Sequence, residues 1–491
     1  MKILIENGNV CSLDLPLKFA QKLYAEFAIR HPNAFYLRTR QRGMQNWDGK
    51  IHYVNKHGEF KIGLLPAVYE KCIEYGIKPK VVDMRQPLPK VSKVVTKIGE
   101  YKLRPEQEKA VKAVINNKVG KVPFQIGVLD YTVNAGKTLI MSSLYLSYKK
   151  QLKTLLITND SDWLNQARDE FKKYLPGEPI TFVQGKVLNW SNFTIGMVQS
   201  ISRNMRFYQN ELAKVDMVLV DEADQAGSKQ YQNVLTRLFN TRVRIGLSGT
   251  IYMSKLAKDK VKNMNLEVFF GKVLAEFKLK DSIKKGYSTR TIVKMVPSKP
   301  WYGNWESEEV SYKEVYDDSI TFNKYARRMV YSRLKWNLKQ GRYPALVVCK
   351  FIAHCENLCK YFKKKLGSKY NIACVHVDTP SKIRQQIMKD FREGKIDILV
   401  STTIIARGKN FPKLRYLLNA ASMDSQEKSI QFLGRLVRTD SSKKKVYLDD
   451  LHYPGPYLNR HGKHRKQYYQ KQELKVILLE KIWKNHPIHS L

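Results

Sequence analysis

The chain has 491 residues, 43% of them hydrophobic and 27% charged, a globular mixture that excludes a disordered chain and fits about three domains. Lys+Arg number 87 against 44 Asp+Glu, a formal net charge of +43, which favours a polyanionic partner: nucleic acid first, an anionic membrane surface second. No apolar run is long enough to span a membrane, the opening residues lack the apolar stretch of a leader, and six cysteines are too few for a disulfide framework, so a reducing cytoplasm is expected.

Residues 1–95 read as a small α/β unit. An alternating strand, Met1–Val10, precedes a helical stretch, Leu17–Ile29. Short strand-like runs follow across Phe35–Tyr53, with Arg38, Arg40 and Arg42 at every second position. On a strand that spacing puts three guanidinium groups on one face, as a solvated edge or a phosphate-contacting stripe. Val82–Lys97, with Pro87 and Pro89, reads as a linker.

Residues 96–285 then alternate short apolar strands with longer helices, the strands including Thr154–Thr158, Thr194–Met197, Met217–Val220 and Arg244–Leu247. The rhythm returns over 286–455 with Ala345–Val348, Ile372–His376, Ile396–Val400, Leu414–Ala420 and Lys445–Leu448. Such alternation predicts parallel sheets covered by helices, here two doubly wound lobes in tandem. Lys294–Tyr316, with Trp301, Tyr302 and Trp305, is expected to hold the inter-lobe loop. Residues 456–491 read as a basic tail or helix. Cys349, Cys355, Cys359 and Cys374 cluster without a CxxC pair and read as small core residues rather than metal ligands.

Asn134-Ala-Gly-Lys-Thr138 follows an apolar run and opens a helix-like stretch, the second half of a phosphate-binding loop. Backbone N–H groups at a helix N-terminus suit an anion, Lys137 suits the β/γ-phosphates, and Thr138 suits Mg²⁺. A full loop of this kind has glycine where this chain has Tyr131. Asp221-Glu-Ala-Asp224 closes a hydrophobic strand, so its carboxylates sit where such sheets bind ligands. Asp221 suits Mg²⁺, and Glu222 suits orienting or deprotonating an attacking water. Gln431, Arg435 and Arg438 are spaced by four and three, which shares one helical face. Two adjacent arginines repel unless an anion lies between them, and a triphosphate supplies one.

These motifs, in this order, resemble those of superfamily 2 helicases over about residues 100–455, which implies two tandem RecA-like α/β lobes. Leu103-Arg-Pro-Glu-Gln107 is similar to the family's adenine-reading segment, where Gln107 contacts the base. Asn134, Ala135, Gly136, Lys137 and Thr138 match motif I. Thr158-Asn159 and Gln166 fall where motif Ia is expected, Val198-Gln-Ser200 resembles motif Ib, Asp221–Asp224 motif II, and Ser248-Gly-Thr250 motif III, which couples ATP state to DNA grip. Val347–Lys350 matches the motif IV strand, Ser401–Pro412 motif V, with Gly408 and Asn410 near the nucleotide, and Gln431–Arg438 motif VI.

Asn46-Trp-Asp-Gly-Lys-Ile-His52 followed by Gly63-Leu-Leu, and the stretch around Leu458, His461, Arg465 and Tyr468 or Tyr469, narrow the likeness to phage UvsW-type helicases. That resemblance implies ATP-driven unwinding of forks and migration of Holliday-type junctions in recombination and repair, by a monomer in the host cytoplasm. ATP and Mg²⁺ are then held by Lys137, Thr138 and Asp221 on one lobe and Arg435 and Arg438 on the other. Asn159, Gln199, Lys350 and Thr402 grip nucleic acid across both lobes, and Arg38, Arg40, Arg42, Trp47 and Lys50 are expected to bind duplex. Trp47, Trp301 and Trp305 are aromatic candidates for a strand-separating wedge. A duplex translocase that leaves strands paired, an RNA helicase, and a binding module with a decayed ATP site are the competing readings.

Overall fold

The computed structural model describes residues 1–14, 16–40, 44–159, 161–249, 251, 257–298, 310–406, 411–424, 426–440 and 443–479. The chain divides into two compact units, Met1–Phe277 and Lys278–Leu491.

The first unit opens with a four-stranded mixed sheet: β1 (Lys2–Ile5), β2 (Val10–Asp14), β3 (Phe60–Lys61) and β4 (Lys80–Asp83), in the order β3-β2-β1-β4. The single strand expected over Met1–Val10 is instead a hairpin arm. Asn7 breaks it, its Oδ1 accepting from the backbone N–H of Asn9 (2.8 Å) and Val10 (3.1 Å), a local turn that competes with extension. Helix α1 (Leu17–Glu26) lies where a helix is expected.

The stretch read as strands from Phe35 holds helix α2 (Ala34–Arg40). Ala, Leu and Arg are strong helix formers, and no β-branched run opposes them. Arg38 and Arg40 are therefore about 200° apart around a helix axis rather than on one strand face, and Arg42 lies outside the described residues.

A seven-stranded sheet follows: β5 (Ile126–Tyr131), β6 (Thr154–Thr158), β7 (Ile180–Val183), β8 (Phe193–Met197), β9 (Met217–Asp221), β10 (Val243–Ser248) and β11 (Val273–Phe277), ordered β7-β8-β6-β9-β10-β5-β11. Every neighbouring pair is parallel. The central strands are buried along their whole length, which is why they read as continuous apolar runs rather than alternating ones.

The N-terminal sheet is fused to this lobe. Arg244, fully buried on β10, donates through Nη2 to Gly8 O (2.7 Å) and Asn9 Oδ1 (2.8 Å), and Asn9 Nδ2 donates to Thr236 O (3.0 Å). Ile3, Ile5, Leu23 and Leu65 share one apolar core with Val128, Leu155 and Val218. Within Val82–Lys97, Arg85 and Pro87 are tied to Thr241 and Arg242, so the expected linker lies against the lobe.

The second unit carries β12 (Arg290–Pro297), β13 (Ala345–Cys349), β14 (Ile372–Val375), β15 (Ile398–Thr402), β16 (Tyr416–Asn419), β17 (Lys445–His452) and β18 (Lys475–Leu478), ordered β14-β15-β13-β16-β17-β12-β18. Taken in chain order, the two large sheets have the same permutation of strands. The stretch expected as a basic tail supplies the last strand of that permutation, β18, which pairs in parallel with β12. Lys294–Tyr316, expected between the lobes, begins inside β12, well past the unit boundary at Phe277; Trp301, Tyr302 and Trp305 lie outside the described residues. Cys349, Cys355 and Cys359 are buried in this unit's apolar core. Among the described residues no helix is long and apolar enough to cross a membrane.

Candidate functional site

The loop after β5 leads into helix α4 (Lys137–Ser147), while helix α3 (Pro105–Ile115) runs beside it. Tyr131, standing where a full phosphate loop has glycine, is the last residue of β5 and fully buried, its hydroxyl donating to Glu106 O (2.7 Å). The loop proper therefore begins after it. Asn134 and Gly136 both take left-handed backbone conformations, φ 62° and 72°, and Gly136 caps the helix N-terminus. A Cβ on Gly136 would stand 2.3 Å from Gln107 Nε2, so both the backbone angle and the space demand glycine.

Two side chains at the N-terminus of α3, those of the capping residue Arg104 and of Gln107, hold the loop by its carbonyls. Gln107 Nε2 donates to Ala135 O (2.8 Å) and Arg104 Nη2 to Asn134 O (3.0 Å). Gln107 Oε1 also accepts from Arg104 N–H (2.8 Å). Gln107, expected to read a base, is buried, its amide NH₂ engaged on the loop and its amide oxygen on the Arg104 backbone.

Lys137 Nζ lies 3.7 Å from Asp221 Oδ1, at the carboxyl edge of the sheet where β9 ends. Asp221 is buried, and its Oδ1 accepts no hydrogen bond among the described residues. Next to Lys137, the Thr138 hydroxyl donates to Glu170 Oε2 (2.8 Å) on helix α5 (Ser161–Tyr174), and Gln166 Nε2 holds the other Glu170 oxygen (2.7 Å). A buried carboxylate oxygen without a donor, and a hydroxyl whose proton is directed away, are hard oxygen ligands suited to a divalent cation. Glu170 was not legible as a site residue: a lone acid on an amphipathic helix carries no motif signal.

Glu222 follows Asp221 with φ 52°, a left-handed conformation that costs a non-glycine residue free energy. Gln225 Nε2 donates to Glu222 Oε2 (3.4 Å). Gln225 Oε1 accepts from Asn159 Nδ2, and Asn159 O accepts from Gln199 Nε2 (3.1 Å) on helix α6 (Val198–Arg203). Asn159 and Glu222 thus meet through Gln225, and Gln199 joins them through the Asn159 carbonyl, so three separate motifs are linked. Ser248 Oγ donates to Asp224 Oδ1 (2.6 Å), while Thr250 lies outside the described residues.

In the second unit, helix α7 (Gln426–Leu436) carries Gln431 and Arg435. Arg438 lies beyond the helix end, so helical spacing does not place it; Thr289 does, its N–H donating to Val437 O (2.8 Å) and its hydroxyl to Arg438 O (3.2 Å). The Lys350 ammonium lies over the Tyr312 ring at 3.7 Å. Thr402 ends β15 and is buried. Gly408 and Asn410 lie outside the described residues. In the first unit Arg38, Arg40 and Lys50 are exposed. Trp47 is half-buried, its indole N–H donating to Lys50 O (2.8 Å).

The chain matches the family model described as "Type III restriction enzyme, res subunit" over residues 100–253, and "Helicase conserved C-terminal domain" over residues 327–440. It is 24% identical over 377 residues to the putative ATP-dependent helicase IRC3 of Saccharomyces cerevisiae, covering 71% of this chain and 51% of that protein. It thus spans about half the length of this curated relative. Among solved structures, S. cerevisiae Dbp5 bound to RNA and ADP BeF3 aligns with 14% identity and a TM-score of 0.53, covering 78% of this chain and 91% of its own. T4 UvsW covers 97% of this chain and 99% of its own, with 19% identity and a TM-score of 0.45. With the ordered motifs on two lobes of like topology and both family models matched in sequence, the chain belongs to superfamily 2 of the ATP-dependent helicases.

Proposed function

We propose that this chain is an ATP-hydrolysing motor that unwinds forked DNA and migrates Holliday-type junctions. The observation that carries the motor is the Lys137 ammonium 3.7 Å from a buried Asp221 oxygen that accepts no hydrogen bond among the described residues. A pair of this kind at a strand's carboxyl edge is half of a site whose other half is a triphosphate. Lys137 binds the β/γ-phosphates, and the backbone of 134–138 receives them at the N-terminus of α4. Thr138 and Asp221 would hold Mg²⁺, which when bound would neutralise phosphate charge.

Glu222 orients water and takes its proton as the oxygen attacks the γ-phosphorus; ADP and phosphate leave. Arg435 and Arg438 carry the role that the family resemblance implies, stabilising charge on the transferring phosphoryl group. Asn159, Gln199 and Lys350 contact strand phosphates, which makes binding sequence-tolerant and salt-dependent. The net charge of +43 supports a polyanionic track, and the resemblance around Asn46–His52 supports branched DNA. The restriction-enzyme match over residues 100–253 favours one second reading, a duplex translocase that leaves strands paired.

Steady-state ATPase with no nucleic acid, single strand, duplex, four-way junction and RNA decides among these, with Lys137→Ala as control. Stimulation greatest with the junction, lost in Lys137→Ala, supports the proposal. Equal stimulation by plain duplex favours the translocase, greatest stimulation by RNA an RNA helicase, and no hydrolysis on any arm overturns the motor.

A further inference from the structure

Nothing in the motif pattern says how capture of a phosphate at Asn159 reaches the carboxylate that activates water. The structure contains a continuous path: Gln199 Nε2 to Asn159 O, Asn159 Nδ2 to Gln225 Oε1, Gln225 Nε2 to Glu222 Oε2. Three features make this path a switch rather than a brace. Asn159 has one amide NH₂, and a phosphate oxygen competes for it with Gln225, since phosphates take donors. Asn159 Oδ1 and Gln199 Oε1 are buried atoms that accept no hydrogen bond among the described residues, so the present pairing leaves acceptors unsatisfied at a cost that a rearranged pairing can recover. The last link, 3.4 Å from Gln225 to Glu222, is at the long end of hydrogen bonding. A shift of a few tenths of an ångström makes or breaks it.

We propose that Gln225 is a positioning residue that couples nucleic-acid capture at Asn159 to the orientation of Glu222. Without nucleic acid, Asn159 holds the Gln225 amide by its oxygen. When a strand phosphate takes the Asn159 NH₂, the Gln225 amide re-pairs and its NH₂ moves relative to Glu222 Oε2. The Glu222 carboxylate, on a backbone held at φ 52°, is then re-aimed at the attacking water. This rests on the reading of Glu222 as the water-activating base and of Asn159 as a phosphate contact.

The test uses the full chain and its Gln225→Ala, Asn159→Ala and doubly substituted forms. Three quantities are read: basal ATPase, ATPase at saturating fluorescein-labelled forked DNA, and Kd for that DNA by anisotropy, with thermal unfolding as a control for folding. Gln225→Ala is expected to bind DNA within about twofold of the parent and to lose fivefold or more in the ratio of stimulated to basal rate. Asn159→Ala is expected to lose the same ratio and, in addition, affinity. The double substitution should lose no more of the ratio than Asn159→Ala alone, because both cut one path.

A Gln225→Ala protein that keeps the parent's stimulation ratio overturns the proposal. So does a double substitution whose losses multiply, or a loss of ratio matched by an equal loss of DNA affinity. If the parent itself hydrolyses ATP without stimulation by any nucleic acid, the reading of the site as a nucleic-acid motor fails instead.

Discussion

Arg465 and Asp450 face each other with neither side chain exposed, the guanidinium donating Nε (3.0 Å) and Nη2 (2.8 Å) to one carboxylate oxygen. Arg465 Nη1 also donates to Met423 O (2.8 Å), and Tyr469 OH holds the other Asp450 oxygen (2.7 Å). Arg465 lies on helix α8 (Leu458–Lys471) and Asp450 on β17. The basic C-terminal stretch is therefore part of the second unit's interior, and through Met423 it steadies the segment leading into α7. Removing one partner of a buried pair leaves an uncompensated charge, costing about 3–5 kcal/mol. Arg465→Met should lower the unfolding free energy of the second unit in urea by that amount and bring its midpoint to lower denaturant; an unchanged midpoint would contradict the role.

Gly136 offers a sharper test of the loop. An alanine there meets both an unfavourable backbone angle, at φ 72°, and the Gln107 amide at 2.3 Å. The cost should fall chiefly on the site: roughly 1–3 kcal/mol of strain relieved by displacing Gln107 from Ala135 O. Gly136→Ala is expected to weaken binding of a fluorescent ATP analogue at least tenfold while Tm drops by only a few degrees. Unaltered nucleotide affinity would show that the loop tolerates displacement of Gln107.

Lys443 predicts a dependence on pH. Its ammonium is buried and donates to Leu414 O (3.1 Å) and to Leu436 O (3.2 Å) at the end of α7. Burial pushes its pKa down to about 8; Asp440 opposes the shift, and Arg415 and Arg438 add to it. Solvent reaches it through a cavity of about 580 Å³ that Thr289, Asp440 and Lys444 also line. In the unfolded chain a lysine keeps its proton to about pH 10.4. Between about pH 8 and 10 the unfolded state therefore holds more protons than the native one, so this residue makes stability rise with pH across that window. Lys443→Met should remove the rise, worth up to about 3 kcal/mol, which urea titrations of parent and variant at pH 7.5 and 9.5 would reveal. Parallel slopes in the two proteins would rule the assignment out.

Arg38 and Arg40 lie exposed on α2, the Arg40 guanidinium 5.1 Å from the Tyr36 ring. If both contact phosphates, each adds about 0.9 to the slope of log K against log salt. Arg38→Glu with Arg40→Glu should lower that slope by about two for forked DNA and weaken binding most at low salt. Substitution is preferable to deletion of residues 1–95, which would open the core shared by Ile3, Leu23 and Leu65 with the first lobe. A salt slope equal to the parent's would assign this helix no contact.

Much of the chemistry was legible because it is local in sequence. The loop at 134–138 and the acids at Asp221 and Glu222 announce themselves through residue type and spacing, and buried parallel strands leave apolar runs that need no tertiary context. Helix α2 was misread because alternating arginines satisfy a strand's period as readily as chance does, and only backbone propensity opposes it. Arg438 was assigned to a helical face that ends before it, since spacing cannot show where a helix stops without a strong cap.

Composition, motif order and strand rhythm by themselves determined the lobed architecture and singled out the candidate phosphate-site residues, because each depends on neighbours a few positions apart. Tertiary structure alone decided what joins them: Tyr131 against Glu106, Thr138 against Glu170, Asn159 against Gln225, Arg465 against Asp450. These are single hydrogen bonds and ion pairs between residues separated by whole elements of chain. Their partners are chosen by the packing of sheets and helices, and no short window of sequence contains both ends.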